Sequence, residues 1–287
     1  MLRHLGIEDG WRTGARVVVR DSEEPAVLQR RRFITGLGAM TALVVAAPAL
    51  GRNTAWPHGK RAAVSLTYDD GLDSQLENVA PQLDEFGLKA TFFITEENME
   101  ARLADWQALA RRGHEIADHT MTHPCEFGGY TSESYARQEL TPMEQFLDTN
   151  FGAGRPRSFA YPCGDTRLGA GTAKTRSAAY RAALGSTFLA ARTVAGEPND
   201  PRHISRDRYL LNGFEPTYDN DDPRPASAYV QKAVDRGHWA ILIFHEVLEK
   251  RLGEGDTSKA VHHQILSWLV QQPVWCAPMR DVFKGLA

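Results

Sequence analysis

Cysteine is scarce in this chain of 287 residues: Cys125, Cys163 and Cys276 are all there are, and no two form a C-x-x-C pair. At least one thiol stays unpaired, so the fold is not expected to rest on disulfides. An excess of positive charge is missing too. The chain carries 33 Lys/Arg against 36 Asp/Glu, a net of −3. That balance leaves no polybasic footprint for nucleic acid or anionic lipid. No internal period points to a solenoid or propeller, and no compositional bias points to a fibrous or disordered chain. No apolar run reaches the roughly twenty residues that a membrane-spanning helix needs. What is present is ordinary: 42% hydrophobic residues, enough for a substantial core.

The N-terminal fifty residues differ from the rest. Arg30-Arg31-Arg32-Phe33-Ile34 precedes an uncharged, mostly apolar stretch from Gly36 to Leu50, which contains an A-x-A pattern at Ala47-Pro48-Ala49. This resembles a twin-arginine export signal, and implies a periplasmic or extracellular protein, with an uncleaved anchor as the alternative. A long polar lead before Arg30 is unusual for such a signal. The expected division is 1–51 as lead and export signal, and 52–287 as one catalytic domain with no stable membrane span after cleavage. Residues 1–49 hold seven of the Lys/Arg and five of the Asp/Glu, which leaves the remainder at −5. A nucleic-acid partner is not expected.

After Trp56 the pattern alternates between β-rich runs and helical periodicity. Strands are expected at 62–68, 89–95, 114–118, 157–161, 187–191, 238–244 and 274–277. Helices are expected at 74–86, 101–112, 132–150, 176–184, 226–236 and 261–271, with Pro81 and Pro142 disturbing two of them. Such alternation predicts a single α/β domain with a parallel sheet.

The chain is organised around Ser65-Leu66-Thr67-Tyr68-Asp69-Asp70-Gly71, an apolar strand that runs into two carboxylates and a glycine. Adjacent side chains on an extended backbone point opposite ways, so the two acids can hold different jobs. His119 and His123 form an H-x-x-x-H spacing, two imidazoles on one face of a helical turn that Pro124 cuts short. With Asp70 they make a two-His, one-carboxylate set suited to zinc, with a position left open for water. Cobalt, nickel or another divalent ion suits the same ligands. Asp69 is then placed to take a proton. His245 ends the most apolar run, Ile241-Leu242-Ile243-Phe244, at the mouth of the same sheet, and is read as a general acid. Glu246 beside it either orients it or faces solvent.

These elements, Thr67–Gly71, His119–His123, Tyr161–Gly164 and Leu242–His245, occur in the order found in NodB-like polysaccharide deacetylases, carbohydrate esterase family four, which the chain resembles over roughly residues 60–285. The resemblance implies a distorted, partly open (β/α) barrel and metal-dependent hydrolysis of N- or O-linked acetyl groups on an acetylated glycan or oligosaccharide. It assigns Asp69 as base, Asp70, His119 and His123 as metal ligands, His245 as acid, and the Tyr161 backbone N–H as oxyanion donor. One departure stands out. The arginine that many members carry in the third motif, to tether the catalytic aspartate, is Ala160 here. Arg206 is the expected replacement, with Arg202 and Arg208 as rivals, and Asp207 the expected partner of the catalytic histidine. Cys125 and Cys163 each sit beside a motif, so a disulfide between them is open. Two alternatives to the deacetylase reading remain: a hydrolase of a small non-sugar amide, and a catalytically silent carbohydrate-binding protein.

Two further features are read as structural. His262 and His263 would point to different sides of a helix, and Asp219–Asp222 reads as a solvated acidic loop.

Overall fold

Six parallel strands form the frame of the molecule, which is described by a computed structural model covering residues 56–286. They are β1 (Ala62–Tyr68), β2 (Thr91–Ile94), β3 (Glu115–Asp118), β4 (Ser158–Ala160), β5 (Ala190–Arg192) and β6 (Trp239–Phe244), in the spatial order β5-β4-β3-β2-β1-β6. The candidate export signal lies outside the described residues. Among those described, no helix is long and apolar enough to cross a membrane.

The sheet curls into a half-barrel. β1 carries β6 along one edge, Ala63 to Tyr68. Its other edge is shared: β2 pairs with Thr67 and Tyr68, and a short strand at Val274–Cys276 pairs with Ala62–Val64. The gap between β5 and β6 is bridged by an extended segment that sequence reading leaves as loop. Leu211 N–H donates to Ala191 O and Thr193 N–H to Leu211 O; three residues on, Phe214 N–H donates to Ile241 O and Ile243 N–H to Phe214 O. These four bonds tie the two ends of the curled sheet together. The expected distorted, partly open (β/α) barrel is what forms.

The helices coat the outside: α1 (Ala80–Glu85), α2 (Leu103–Arg111), α3 (Thr141–Phe151), α4 (Ala173–Leu184), α5 (Arg224–Arg236), α6 (Lys259–Leu269) and α7 (Met279–Lys284). The two prolines leave a common signature. A π-helical turn at Gln75–Val79 ends two residues before Pro81 of α1, with Ala80 N–H donating to Gln75 O. Another, at Ala136–Leu140, ends in the same way before Pro142. Proline has no N–H and crowds the carbonyl four residues back, so the helix widens by one residue rather than breaking.

Strand periodicity then sorts the core and sets the site. Val64, Leu66 and Tyr68 face the outer helices, while Ala63, Phe93, Ala117, Ala160, Ala190, Trp239 and Ile241 cluster on the other side of the sheet. Side chains repeat every two residues along a strand. Continuing that interior row to the strand ends and just beyond lands on Asp69 after Ala63, His119 after Ala117, Arg192, the last residue of β5, after Ala190, and His245 after Ile241. Four chemistry-bearing residues from four strands thus share the interior face at the strands' C-terminal ends, where barrels place their active sites.

Candidate active site

Asp69 is 2% exposed. One carboxylate oxygen accepts a hydrogen bond from the Arg192 Nη2; the other lies 3.8 Å from His119 Nε2 and 3.9 Å from His245 Nε2. Burial pushes this carboxyl up, but the Arg192 charge, helped by the neighbouring imidazoles and by the Arg192 hydrogen bond, more than offsets that and holds it below its ordinary value. Asp69 is therefore ionised at neutral pH.

Asp70 does not point away from its neighbour as an extended backbone would require. Its φ of 75° turns the chain back, and Oδ1 comes within 3.6 Å of Nε2 on both His119 and His123. Gly71, also at positive φ, packs so closely on Ile94 that a side chain there would press on Ile94. The His119–His123 stretch is likewise no helical turn. Thr120 and His123 both take positive φ, and a loop brings the two rings to 4.6 Å centroid separation. Five non-glycine residues among those described have positive φ, and four, Asp70, Thr120, His123 and Cys163, belong to this neighbourhood. Strained backbone concentrated in one place is a mark of a functional site.

Asp70, His119 and His123 fit a divalent ion. Each offers one ligand atom, and all three atoms lie within 4.8 Å of one another. Tetrahedral ligands about 2.1 Å from zinc stand roughly 3.4 Å apart, close to the observed spacings. The tautomer is right as well. His119 Nδ1–H donates to Ala160 O at 2.9 Å, which leaves the Nε2 lone pair free toward the cluster. Burial lowers the His119 pKa to about 4, so the ring is neutral.

His245 makes the opposite kind of contact. Its Nδ1 bonds Glu215 Oε1 at 2.9 Å. Burial pulls its pKa down, but the Glu215 hydrogen bond and the charges of Asp69, Glu215 and Asp70 outweigh this and raise it to about 9. It is a protonated imidazole at neutral pH, able to give a proton. Glu215→Gln keeps the hydrogen-bond shape without the charge. In a hydrolytic assay of this site, the alkaline limb of kcat/KM is expected to move to lower pH in that variant; an unmoved limb would remove Glu215 as the tuning group.

Three expectations are corrected. Arg206 and Asp207 sit on a short helix, Ile204–Asp207, and pair with each other at 2.7 Å on the surface; Arg206 is 71% exposed. Neither braces Asp69 or His245. Arg192 and Glu215 do, and neither is among the expected residues. Arg192 is directly paired with Ala160 across β4 and β5, so the guanidinium stands at the same level one strand over. It is fully buried and stacks 4.8 Å over the Phe93 ring. A signal existed: Arg192 ends an apolar run, as His245 does. Tyr161 is the third correction. Its backbone N–H donates to Arg192 O at 3.2 Å, and its side-chain hydroxyl to Tyr209 O. That N–H is a ladder donor rather than one aimed at a reacting oxygen.

The cleft over these groups has a volume of about 760 Å³ and is walled by Tyr161, Cys163, Gly164, Val194, Phe214 and Tyr218. Tyr218 is 47% exposed at its rim. Cys125 and Cys163 form a disulfide that ties the His123 loop to this wall, and Cys276 is free. The bridge closes a loop with a sequence separation of 38. Removing it through Cys125→Ser/Cys163→Ser should cost about 2–4 kcal/mol, read as a fall in denaturant midpoint. An unchanged midpoint would mean that the bridge constrains little.

The residues read as structural behave so. Asp221 Oδ1 accepts Ser258 N–H, and Asp222 pairs with Arg224. His262 is buried between Tyr68 and Gln82, whereas His263 faces Glu85.

Comparisons agree with this geometry. Residues 57–184 match the family model described as polysaccharide deacetylase. A gellan lyase from a Bacillus species is 24% identical over 250 residues, 80% of this chain and 10% of that protein. A peptidoglycan-N-acetylglucosamine deacetylase from Bacillus cereus is 32% identical over 110 residues, 38% of each chain. The matched region thus spans a tenth and about two fifths of these relatives' lengths. Among solved structures, a Mycobacterium smegmatis protein described as a polysaccharide deacetylase superposes with a TM-score of 0.60 at 18% identity, covering 80% of this chain and 92% of its own. That likeness extends to the fold.

Proposed function

We propose that this chain is a metal-dependent deacetylase that hydrolyses N- or O-linked acetyl groups on a glycan. The observation that carries the reading is the pairing of roles at one barrel mouth. A carboxylate kept ionised by Arg192 stands 3.9 Å from an imidazole kept protonated by Glu215, beside the three-ligand cluster of Asp70, His119 and His123. Groups whose surroundings push their protonation states apart are what acid–base hydrolysis needs. The family match over 57–184 and the B. cereus relative support acetylated carbohydrate as the substrate class.

A divalent ion held by Asp70 Oδ1 and the Nε2 atoms of His119 and His123 supplies Lewis acidity that polarises the acetyl carbonyl and acidifies water. The chain's own residues do the rest. Asp69 accepts the proton of the attacking water through the oxygen that Arg192 leaves free. Arg192 fixes the direction of that carboxylate. His245 delivers its Nε2 proton to the leaving nitrogen or oxygen as the acyl bond breaks, and Glu215 on Nδ1 holds the ring and stabilises its charge. Tyr218 and Phe214 on the cleft wall offer faces on which a sugar ring can stack. The test is acetate release from chitooligosaccharides, peptidoglycan, acetylated xylan and a small aryl acetate, with the ion loaded and stripped. Release from a glycan that requires the ion supports the reading; release from the aryl acetate alone favours a small-molecule hydrolase, and none from any substrate ends it.

We propose further that residues 1–51 export the folded domain at 52–287. Arg30→Lys/Arg31→Lys is expected to retain the protein in the cytoplasm; undiminished export would discard the twin-arginine reading.

A further inference from the structure

The barrel has a second cavity, at the end opposite the catalytic mouth. It has a volume of about 550 Å³ and lies where β3 begins and where α2 and α3 end. β3 runs from His114 at this end to His119 at the other, so roughly 16 Å of strand separates the two sites. Four arginines line the cavity, Arg111, Arg155, Arg157 and Arg280, and none of its lining residues is acidic.

The four are not equivalent. Arg157 is committed to Glu144, Asp148 and the Gly152 carbonyl. Arg280 bonds Asp281 through Nε. Arg111 and Arg155 are exposed and have no ion-pair partner among the described residues. The carbonyls at the C-terminus of α3 do not explain them, because Asn150 O and Gly152 O already accept from Gln107 and Arg157. The cavity floor adds a donor. His114 is 3% exposed, its Nδ1 accepts Ala90 N–H at 3.2 Å, and the proton is therefore on Nε2. That buried Nε2–H has no acceptor among the described residues. Two unpaired guanidinium groups and a buried donor, with no carboxylate in the lining itself, leave a surface suited to an anion.

We infer that this cavity is an anion-binding site, separate from the catalytic centre, for a small ligand bearing a compact tetrahedral oxyanion, a phosphoryl or sulfate group. Guanidinium groups arriving from three elements, α2, the loop after α3 and α7, can surround a tetrahedral dianion with paired N–H donors. The volume suits a ligand of about monosaccharide size, with Ile116, Phe151 and Pro156 as its apolar wall.

Isothermal titration of the whole chain with inorganic pyrophosphate tests this. The protein is stripped of divalent ions and desalted, and compared with Asp70→Asn, Arg111→Ala/Arg155→Ala, and a citrate titration. The expected result is saturable binding that persists in Asp70→Asn and weakens tenfold or more in the double variant, with acetate release in that variant unchanged. Binding lost in Asp70→Asn would place the anion in the catalytic mouth and overturn the inference. So would equal binding by wild type and double variant, tighter binding of citrate, or no binding up to about 10 mM, a range that catches even millimolar sites. Because Arg111 and Arg155 are exposed and lie at the end of the barrel opposite Asp70, failure here leaves the deacetylase reading untouched.

Discussion

Asp69→Asn is expected to lower kcat by about a hundred- to ten-thousand-fold while KM and bound metal change little. The amide retains the volume of the carboxylate, and its oxygen can still accept from Arg192, so the fully buried pair stays hydrogen-bonded. What disappears is basicity. Asp70→Asn makes the contrast: its Oδ1 is 3.6 Å from both imidazole Nε2 atoms, so metal affinity should fall first and activity with it. Metal content by plasma emission, measured beside acetate release, separates the two. Equal metal loss in both variants would show that the neighbouring carboxylates share one job, and the assignment of Asp69 as base would fall.

The physical basis of that division was only partly legible in the sequence. Adjacent residues on a strand diverge, and from this the two acids were read as having different roles. They do occupy different positions, but for another reason: the positive φ of Asp70 folds it back beside Asp69 instead of sending it to the far side. The strand positions along the chain were readable because Val64, Leu66 and their equivalents are apolar with a clear period. The same period, extended to the strand ends and just beyond, places Asp69, His119, Arg192 and His245 on one face. Arg192 is not legible from the motif, because the motif position along the chain is Ala160 and Asp69 is satisfied instead from the laterally paired strand. Register across a sheet is not written in local sequence. Glu215 was hidden for a related reason. The segment before it, Leu211–Phe214, reads as loop, yet it is pulled straight by bonds to Ala191, Thr193, Ile241 and Ile243 on both flanking strands. Only barrel closure makes it extended.

Arg192→Met should be the most damaging single change, and its effects should be visible in two independent measurements. Methionine fills much of the space over Phe93 but removes the only guanidinium that reaches Asp69 among the described residues. A buried charge left without its partner costs about 3–5 kcal/mol. For a domain of this size that corresponds to a fall of about 10 °C in Tm. The pH dependence should also change sign. In the wild type the Asp69 carboxyl is held below its unfolded value, so the unfolded chain binds more protons in acid. The pair therefore stabilises the metal-stripped protein above the unfolded pKa of about 4, and that contribution is lost as pH falls through the lower folded pKa. In Arg192→Met burial acts with less opposition, the folded pKa rises above the unfolded one, and stability from this group is lost as pH rises instead. The acid limb of the kcat/KM profile should move to higher pH with it, because the base now protonates more readily. Arg192→Lys, which keeps the charge but not the planar fork, should recover much of the stability and less of the rate. A profile unmoved in Arg192→Met, at any level of stability, would mean that the guanidinium packs against Asp69 without setting its charge.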